Sequence, residues 1–135
     1  MRVRTLIVDD NPTFIESITG FLARRSSIAL LGCASSGSEA LERARREQPD
    51  LVLVDLVMPT MNGLDLTREL RALPSPPRIV VLTLAEHPAY IAHAQAAGAD
   101  ALLSKYEITT RLMPLIAQLF SASAPADGPA TEQPG

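Results

Sequence analysis

Short apolar runs alternate along the chain with segments whose apolar residues recur every three to four positions. The runs are too short for helices, and most lack the alternation of a strand with one solvated face, so they predict strands covered on both sides of a parallel sheet. The predicted strands are Val3 to Val8, Ile28 to Cys33, Leu51 to Val54, Ile79 to Leu82 and Ala101 to Leu103.

Each predicted strand is followed by a helix signal. Asn11-Pro12 predicts an N-cap and a first-turn proline for the first helix, and Ser36 with Glu39 fits a capping box for the second. The third follows Gly63, with Leu66, Leu70 and Leu73 on one stripe.

The last two helices are expected from about Pro88 to Ala97, where Gly98 is a plausible C-terminal cap, and around Leu112 to Phe120. Pro114 is compatible with the fifth helix only if that helix starts near Thr109 or Thr110, because a proline is tolerated in the first turn.

The element order is therefore (βα)5, which predicts an open, doubly wound α/β sheet with right-handed crossovers. Residues 1–120 are expected to form this one domain. Residues 121–135 are rich in Ala, Pro and Gly and lack apolar periodicity, so they are expected to be a flexible tail or the start of a linker.

The composition narrows the class of protein. The chain has 135 residues, of which 47% are hydrophobic and 20% charged; no apolar run approaches the roughly 18 to 20 residues of a membrane span, and the N-terminus does not resemble a signal peptide. The single cysteine, Cys33, fits a reducing compartment. A net charge of −3 argues against nucleic-acid binding by this chain alone. We therefore expect a soluble, cytoplasmic protein.

Polar residues stand where four of the predicted strands end. Asp9 and Asp10 follow the first strand, Asp55 the third, Thr83 the fourth and, one residue later, Lys105 the fifth. Ligands of open α/β sheets bind beyond the carboxyl ends of the strands, where the strand order reverses. If the first and third strands flank that point, three carboxylates converge on one crevice.

Three neighbouring carboxylates repel one another, and a hard divalent cation such as Mg²⁺ resolves that conflict through oxygen ligands. Lys105 adds a fixed positive charge and Thr83 a hydroxyl. This set suits phosphoryl transfer, with one carboxylate as the nucleophile. An acid at a strand end is, taken alone, more often a helix cap or turn residue, but five polar residues at the ends of four strands favour the functional interpretation.

The stretches LIVDDNP, PDLVLVDLVMPTMNGLDLTRELR, IVVLT and AAGADALLSK resemble the receiver domain of two-component response regulators, over roughly residues 3 to 105. The segment SSIALLGCASSGSEALE further resembles receivers that precede a LuxR-type output domain, the NarL/FixJ-like subgroup. The resemblance implies a flavodoxin-like fold, with a five-stranded parallel sheet in the order 2-1-3-4-5.

It also implies roles for individual residues. Asp55 would accept a phosphoryl group from the phosphohistidine of a sensor histidine kinase or a phosphotransfer protein. Asp10 would coordinate Mg²⁺ directly, Asp9 directly or through water, and Asp55 with the backbone carbonyl of Val57 would complete the protein ligands.

Two further residues would contact the phosphoryl group. Lys105 would pair with Asp55 and then with phosphoryl oxygens, and Thr83 would move toward them. The surface of the fourth helix, fifth strand and fifth helix would then change, to engage an output domain or a second copy of the chain. Transcription through a DNA-binding domain absent from this chain is the expected output.

Two positions depart from the family pattern. Leu102 stands where family members usually have an aromatic side chain whose rotamer changes with the threonine movement, and a leucine has no ring to make that change. Tyr106 replaces the proline that commonly follows the lysine, so we expect a trans Lys105–Tyr106 bond, since a cis bond before a non-proline residue costs about 2.5–4 kcal/mol.

Other functions fit less well. A dehalogenase-like phosphatase needs a second acid two residues after the nucleophile, where Val57 stands, and no phosphate-binding G-x-x-x-x-G-K-[ST] loop is present. We expect no turnover enzyme, only self-catalysed phosphoryl transfer with slow loss of the group. The alternative is a receiver-like interaction scaffold with weak or absent switching. The arginines Arg24, Arg25, Arg43, Arg45 and Arg46 are expected on solvated helix faces.

Overall fold

Five parallel strands form one sheet in the order β2-β1-β3-β4-β5, as the resemblance implied. The computed structural model describes residues 2–58, 61–84 and 87–122. The strands are β1 (Val3–Val8), β2 (Ile28–Ala34), β3 (Leu51–Asp55), β4 (Arg78–Thr83) and β5 (Ala101–Ser104). The α-helices are α1 (Pro12–Ala23), α2 (Gly37–Glu47), α3 (Gly63–Arg71), α4 (Pro88–Ala97) and α5 (Met113–Ala122). All ten elements lie where the apolar pattern predicted them, within one or two residues for the strands.

The sheet has a hydrophobic core on each face. One core lies between the sheet, α1 and the fifth helical segment, which is the segment that ends in α5. Its buried residues include Ile18, Leu22 and Leu112. The other packs α2, α3 and α4, through residues such as Leu41, Leu66 and Ala94. Since both faces are covered, the strands read as continuous apolar runs, and the core residues of β3 are inaccessible to solvent.

The predicted helix caps are confirmed. The Asn11 side chain accepts hydrogen bonds from the backbone N–H groups of Thr13 and Phe14, and the Ser36 hydroxyl accepts one from Glu39 N–H. The Glu39 carboxylate binds the N–H of Ser35 and not that of Ser36, so the capping box closes one residue early. These caps fix the starts of α1 and α2 beside the carboxyl ends of the strands.

The fifth helical segment begins at Ile108 with a π-helical turn, Ile108–Leu112, which continues into α5. Pro114 is therefore the second residue of α5, and the wider turn precedes it. The predicted start near Thr109 or Thr110 lies just inside this turn. The α-helix ends at Ala122, two residues into the predicted tail; the rest of that tail, residues 123–135, lies outside the described residues.

One arginine prediction is wrong. Arg43 is not on a solvated face: its side chain is only 17% exposed and pairs with Glu47 at 2.9 Å. Its guanidinium also donates to the carbonyls of Leu31 and Cys33 on the edge strand β2, at 2.9 and 3.0 Å. Those carbonyls flank Gly32, whose φ of 134° accompanies a register shift against β1. Arg43 thus binds two backbone carbonyls beside the irregularity in the edge strand.

Within residues 2–58, 61–84 and 87–122, no helix is both long enough and apolar enough to cross a membrane.

Candidate functional site

The strand register brings the predicted acids together. Val8 pairs with Val54, so Asp9, which follows β1, lies beside Asp55, the last residue of β3. Ligand oxygens of Asp9, Asp10 and Asp55 all lie within 4.8 Å of one another. Asp9 is inaccessible to solvent, Asp55 is 8% exposed and Asp10 is exposed. The expected convergence of three carboxylates on one crevice is therefore present.

An open cavity of about 620 Å³ lies above these carboxylates. The residues of its walls come from the ends of β3 and β4, from the segments that follow β1, β3 and β5, and from α4. They include Asp10, Asp55, Val57, Thr83, Tyr90 and Lys105. Asp9 lies below the cavity, where the buried ends of β1 and β3 meet. The cavity gives a ligand access to Asp55 from solvent, as an acceptor carboxylate requires.

Lys105 reaches into the cavity directly after β5. Its ammonium group lies 2.7 Å from a carboxylate oxygen of Asp9 and 3.3 Å from one of Asp55. The expected pairing with Asp55 is present, but the shorter contact is to Asp9. The Lys105 side chain is only 9% exposed, so this ammonium is largely removed from water and is held by carboxylates.

Burial raises the pKa of the Asp55 carboxyl above its usual range, and the negative charge of Asp9 adds to this effect. Lys105 opposes it, by its charge and by its hydrogen bond. An all-oxygen donor set with excess negative charge is what a small divalent cation such as Mg²⁺ prefers. The residues present therefore fit Mg²⁺, held by Asp9, Asp10 and Asp55, and the cation would favour the ionised form of Asp55.

Backbone contacts join the two described ends of the segment between β3 and α3. Gly63 N–H donates to the Leu56 carbonyl at 2.9 Å, and Val57 bridges to Asn62. Asn62 caps α3 by accepting from Leu64 N–H. A Cβ on Gly63 would lie 2.2 Å from the Asp55 carbonyl oxygen, so only glycine allows this close approach. Val57 lines the cavity and is 74% exposed; its carbonyl as a metal ligand stays a prediction.

The predicted switch positions lie at the neighbouring strand ends. Thr83 is the last residue of β4, 4% exposed, and lines the cavity. Leu102 lies on β5 and packs, partly buried, against the core formed with α2, α3 and α4. Tyr106 is 78% exposed, in a short 3₁₀ turn, Lys105–Glu107. The Lys105–Tyr106 bond is trans, as expected, since the described residues contain no cis peptide bond.

Three residues at the site were missed from the sequence. The Asn11 N–H donates to Asp9 at 2.9 Å, Tyr90 of α4 lines the cavity, and the Phe14 ring lies under the Lys105 ammonium. Asn11 was predicted only as the N-cap of α1, and neither Phe14 nor Tyr90 was among the predicted site residues. Asn11 carried a sequence signal, because it directly follows Asp10; the contacts of Phe14 and Tyr90 with the site depend on how α1 and α4 pack, which spacing does not specify.

The fold and the acidic cavity define an open α/β domain with a candidate metal site at the carboxyl ends of its strands, and comparison with known proteins specifies the family. Residues 5–117 match the response regulator receiver domain, so the chain belongs to that family. Members are parts of two-component systems and typically use Mg²⁺.

Curated relatives support the subgroup inferred from the sequence. The chain is 35% identical over 103 residues to the response regulator GacA of Pseudomonas viridiflava and 36% identical over 100 residues to the nitrate/nitrite response regulator protein NarL of Escherichia coli K12. These alignments cover 76% and 74% of this chain but 48% and 46% of the relatives. The chain thus spans about half the length of the curated relatives it matches.

Solved structures agree. The signal receiver domain of the putative response regulator NarL from Mycobacterium tuberculosis aligns with a TM-score of 0.78 and 31% identity, over 92% of this chain and 98% of that one. A two-component response regulator of the LuxR family from Aurantimonas sp. SI85-9A1 aligns with a TM-score of 0.84 and 28% identity, over 90% and 87%.

Proposed function

We propose that this chain is a phosphorylation-switched receiver whose Asp55 accepts a phosphoryl group from the phosphohistidine of a sensor histidine kinase or a phosphotransfer protein. The observation that carries the proposal is the environment of Asp55. Its carboxylate borders an open cavity, with the Lys105 ammonium at 3.3 Å and ligand oxygens of Asp9 and Asp10 within 4.8 Å. Receiver-family membership and NarL-like relatives support the same assignment.

In the transfer step, an Asp55 carboxylate oxygen attacks the phosphorus atom as the phosphorus–nitrogen bond of the phosphohistidine breaks. The bonding electron pair stays on the imidazole nitrogen, and an acyl phosphate forms on Asp55. Bound Mg²⁺ would neutralise charge on the phosphoryl oxygens. Lys105 supplies a fixed positive charge beside the same oxygens, and Thr83 offers a hydroxyl from the end of β4. Catalysis by this chain is then mainly positioning and charge neutralisation.

Phosphorylation would change the conformation of the chain and would not convert a metabolite, so we do not propose a turnover enzyme. Water would slowly attack the phosphorus atom of the acyl phosphate, and the bond from phosphorus to the Asp55 oxygen would break, which releases inorganic phosphate and returns the carboxylate. The phosphorylated state would act through the surface of α4, β5 and α5, either by engaging an output domain or by pairing two copies of the chain. Regulation of transcription is the proposed output, because a relative about twice as long as this chain is the 'probable transcriptional regulatory protein NarL' of Mycobacterium tuberculosis. A cytoplasmic location stays a prediction.

The test is phosphoryl uptake. Incubation with Mg²⁺ and acetyl phosphate should add one phosphoryl group, measured by intact-protein mass spectrometry, and the D55N variant should take up none. The matched control is D65N, which removes an exposed carboxylate on α3 that pairs with Arg68. Uptake by D55N equal to that of the unmodified protein would refute Asp55 as the acceptor.

A phosphate-independent scaffold is the second candidate, favoured by Leu102, which packs into the core without an aromatic ring, and by the exposed Tyr106. Beryllofluoride, a phosphoryl mimic, separates the two functions in amide NMR spectra. Shifts that extend from Asp55 to α4, β5 and α5 support the switch. Shifts confined to the loops around the cavity support the scaffold.

A further inference from the structure

Beneath the cavity, the Lys105 ammonium has an aromatic neighbour as well as its carboxylate partners. Its nitrogen lies 4.2 Å from the centroid of the Phe14 ring, while Asp9 and Asp55 are contacted at 2.7 and 3.3 Å. The three groups come from different elements: Phe14 from α1, Asp9 from the end of β1 and Asp55 from β3. The ammonium therefore lies between a pair of carboxylates and the face of a ring.

Phe14 is held in this place from two directions. Its backbone N–H donates to the Asn11 side chain at 3.2 Å, which fixes it in the first turn of α1. Its side chain is partly buried and packs against the core between α1, the sheet and the fifth helical segment. The ring can therefore present a fixed face to Lys105.

The ring matters because the ammonium has lost most of its water. A lysine ammonium is a compact charge on a flexible four-carbon stem, and here the side chain is 9% exposed. A ring face attracts a cation electrostatically, and more strongly when the cation is desolvated. Phe14 gives the ammonium a third neighbour besides its two carboxylate partners, and a third contact limits the positions that the stem can adopt.

We propose that Phe14 is a positioning residue for phosphoryl transfer, which holds the Lys105 ammonium beside Asp55. The inference rests on the proposed function of Asp55 and adds a residue to it. Without the ring, the ammonium would spread over more positions, and a smaller fraction of molecules would have the charge in place when the phosphoryl group arrives. The rate of transfer should fall, because positioning is a large part of this catalysis.

The first measurement needs no phosphodonor. Lys105 is the only lysine in the sequence, so protein labelled with ¹³C-lysine gives one set of side-chain signals. The ring current of Phe14 should shift the protons next to the ammonium upfield. F14L and F14M, which keep an apolar side chain but remove the ring, should lose that shift. F14Y, which keeps a ring, should retain it.

The matched control is F21L. Phe21 lies on the same helix, packs against the same core and has the Arg25 guanidinium carbon 4.2 Å from its ring centroid. It therefore has the same chemistry away from Asp55. F21L should leave the Lys105 signals unchanged.

The second measurement is the initial rate of phosphoryl uptake from Mg²⁺ and acetyl phosphate, which removes any effect of Phe14 on binding a kinase. F14L and F14M should be about three- to tenfold slower, while F14Y and F21L should stay within about twofold of the unmodified protein. Circular dichroism identifies any variant that is not folded. If only one of F14L and F14M is folded, the comparison is made with that variant.

The outcomes separate the two proposals. If the unmodified protein takes up no phosphoryl group, the proposed function fails, whatever the lysine signals show. If it does, and F14L and F14M react at its rate or faster, Phe14 is not a positioning residue. Unchanged lysine signals in these variants, or slow transfer by F14Y, would also overturn the inference.

Discussion

The ammonium group of Lys105 lies 2.7 Å from a carboxylate oxygen of Asp9, closer than to the proposed acceptor Asp55. The other carboxylate oxygen of Asp9 accepts the Asn11 N–H at 2.9 Å. Both oxygens of this buried acid thus have partners within the chain. Lys105 partly neutralises the acidic cluster, and a divalent cation has to share Asp9 with it.

This relationship predicts that K105M binds Mg²⁺ more tightly than the unmodified protein, although it should accept a phosphoryl group more slowly. Removing a positive charge a few ångströms from the cation should raise Mg²⁺ affinity about three- to tenfold at low ionic strength. Isothermal titration calorimetry measures the affinity, and the acetyl phosphate assay measures the rate.

The control is R46M, which removes a positive charge from the exposed last turn of α2. Its Mg²⁺ affinity should match that of the unmodified protein. Weaker binding by K105M would mean that Lys105 shapes the metal site by more than its charge.

The raised pKa of Asp55 makes a prediction about stability and pH. Because the folded-state pKa lies above the unfolded value, ionised Asp55 lowers the free energy of unfolding above its folded pKa, and this cost disappears as pH falls below both values. D55N should therefore be more stable than the unmodified protein at pH 7 without metal, by about 1 kcal/mol.

The advantage of D55N should shrink between neutral pH and about pH 4. Urea unfolding followed by circular dichroism at several pH values measures this, since the sequence has no tryptophan. Mg²⁺ should stabilise the unmodified protein more than D55N. An advantage that stays constant across this pH range would contradict the role of the Asp55 charge.

Sequence patterns predicted the sheet and the acids because both depend on local rules. A strand buried on both faces reads as an apolar run, and the ends of parallel strands meet at one edge, so Asp9, Asp55, Thr83 and Lys105 were predictable as a set. Whether the lysine lies nearer Asp9 or Asp55 depends on side-chain geometry, which sequence spacing does not encode.

Arg43 and Phe14 show the limit of such reasoning. An arginine in a charged helix is expected to be solvated unless the strand beside it is irregular. Here the irregularity is at Gly32, and it is seen only in how β2 pairs with β1. A phenylalanine in an apolar stripe is interpreted as core, and nothing in its spacing places a cation on its ring. Both roles come from contacts between distant segments.

Arg43 gives a stability prediction. R43M should lower the free energy of unfolding by about 1–3 kcal/mol, because it leaves the carbonyls of Leu31 and Cys33 without the guanidinium donor. R46M, three residues along the same helix, should change it by less than about 0.5 kcal/mol, since Arg46 forms exposed ion pairs. Urea unfolding measures both, and equal effects would contradict the role of Arg43. Faster amide hydrogen exchange in β2 of R43M would locate the loss at the edge strand.

Replacing Gly63 or Gly20 by alanine should change the free energy of unfolding in opposite directions. A Cβ at Gly63 would meet the Asp55 carbonyl oxygen at 2.2 Å, and this neighbour is backbone, so the loop after β3 has to move. G63A should lower the free energy of unfolding by about 1–3 kcal/mol and slow phosphoryl uptake at least about tenfold, because it displaces the acceptor.

Gly20 lies inside α1, and a Cβ there would meet no atom within 4 Å. G20A should therefore raise the free energy of unfolding by about 0.5–1 kcal/mol, as alanine favours the helix over glycine, and leave the uptake rate unchanged. Urea unfolding and the acetyl phosphate assay measure both variants. A G63A protein with full stability and full uptake would show that the loop accommodates a side chain, and the close approach of α3 to β3 would then not be what positions Asp55.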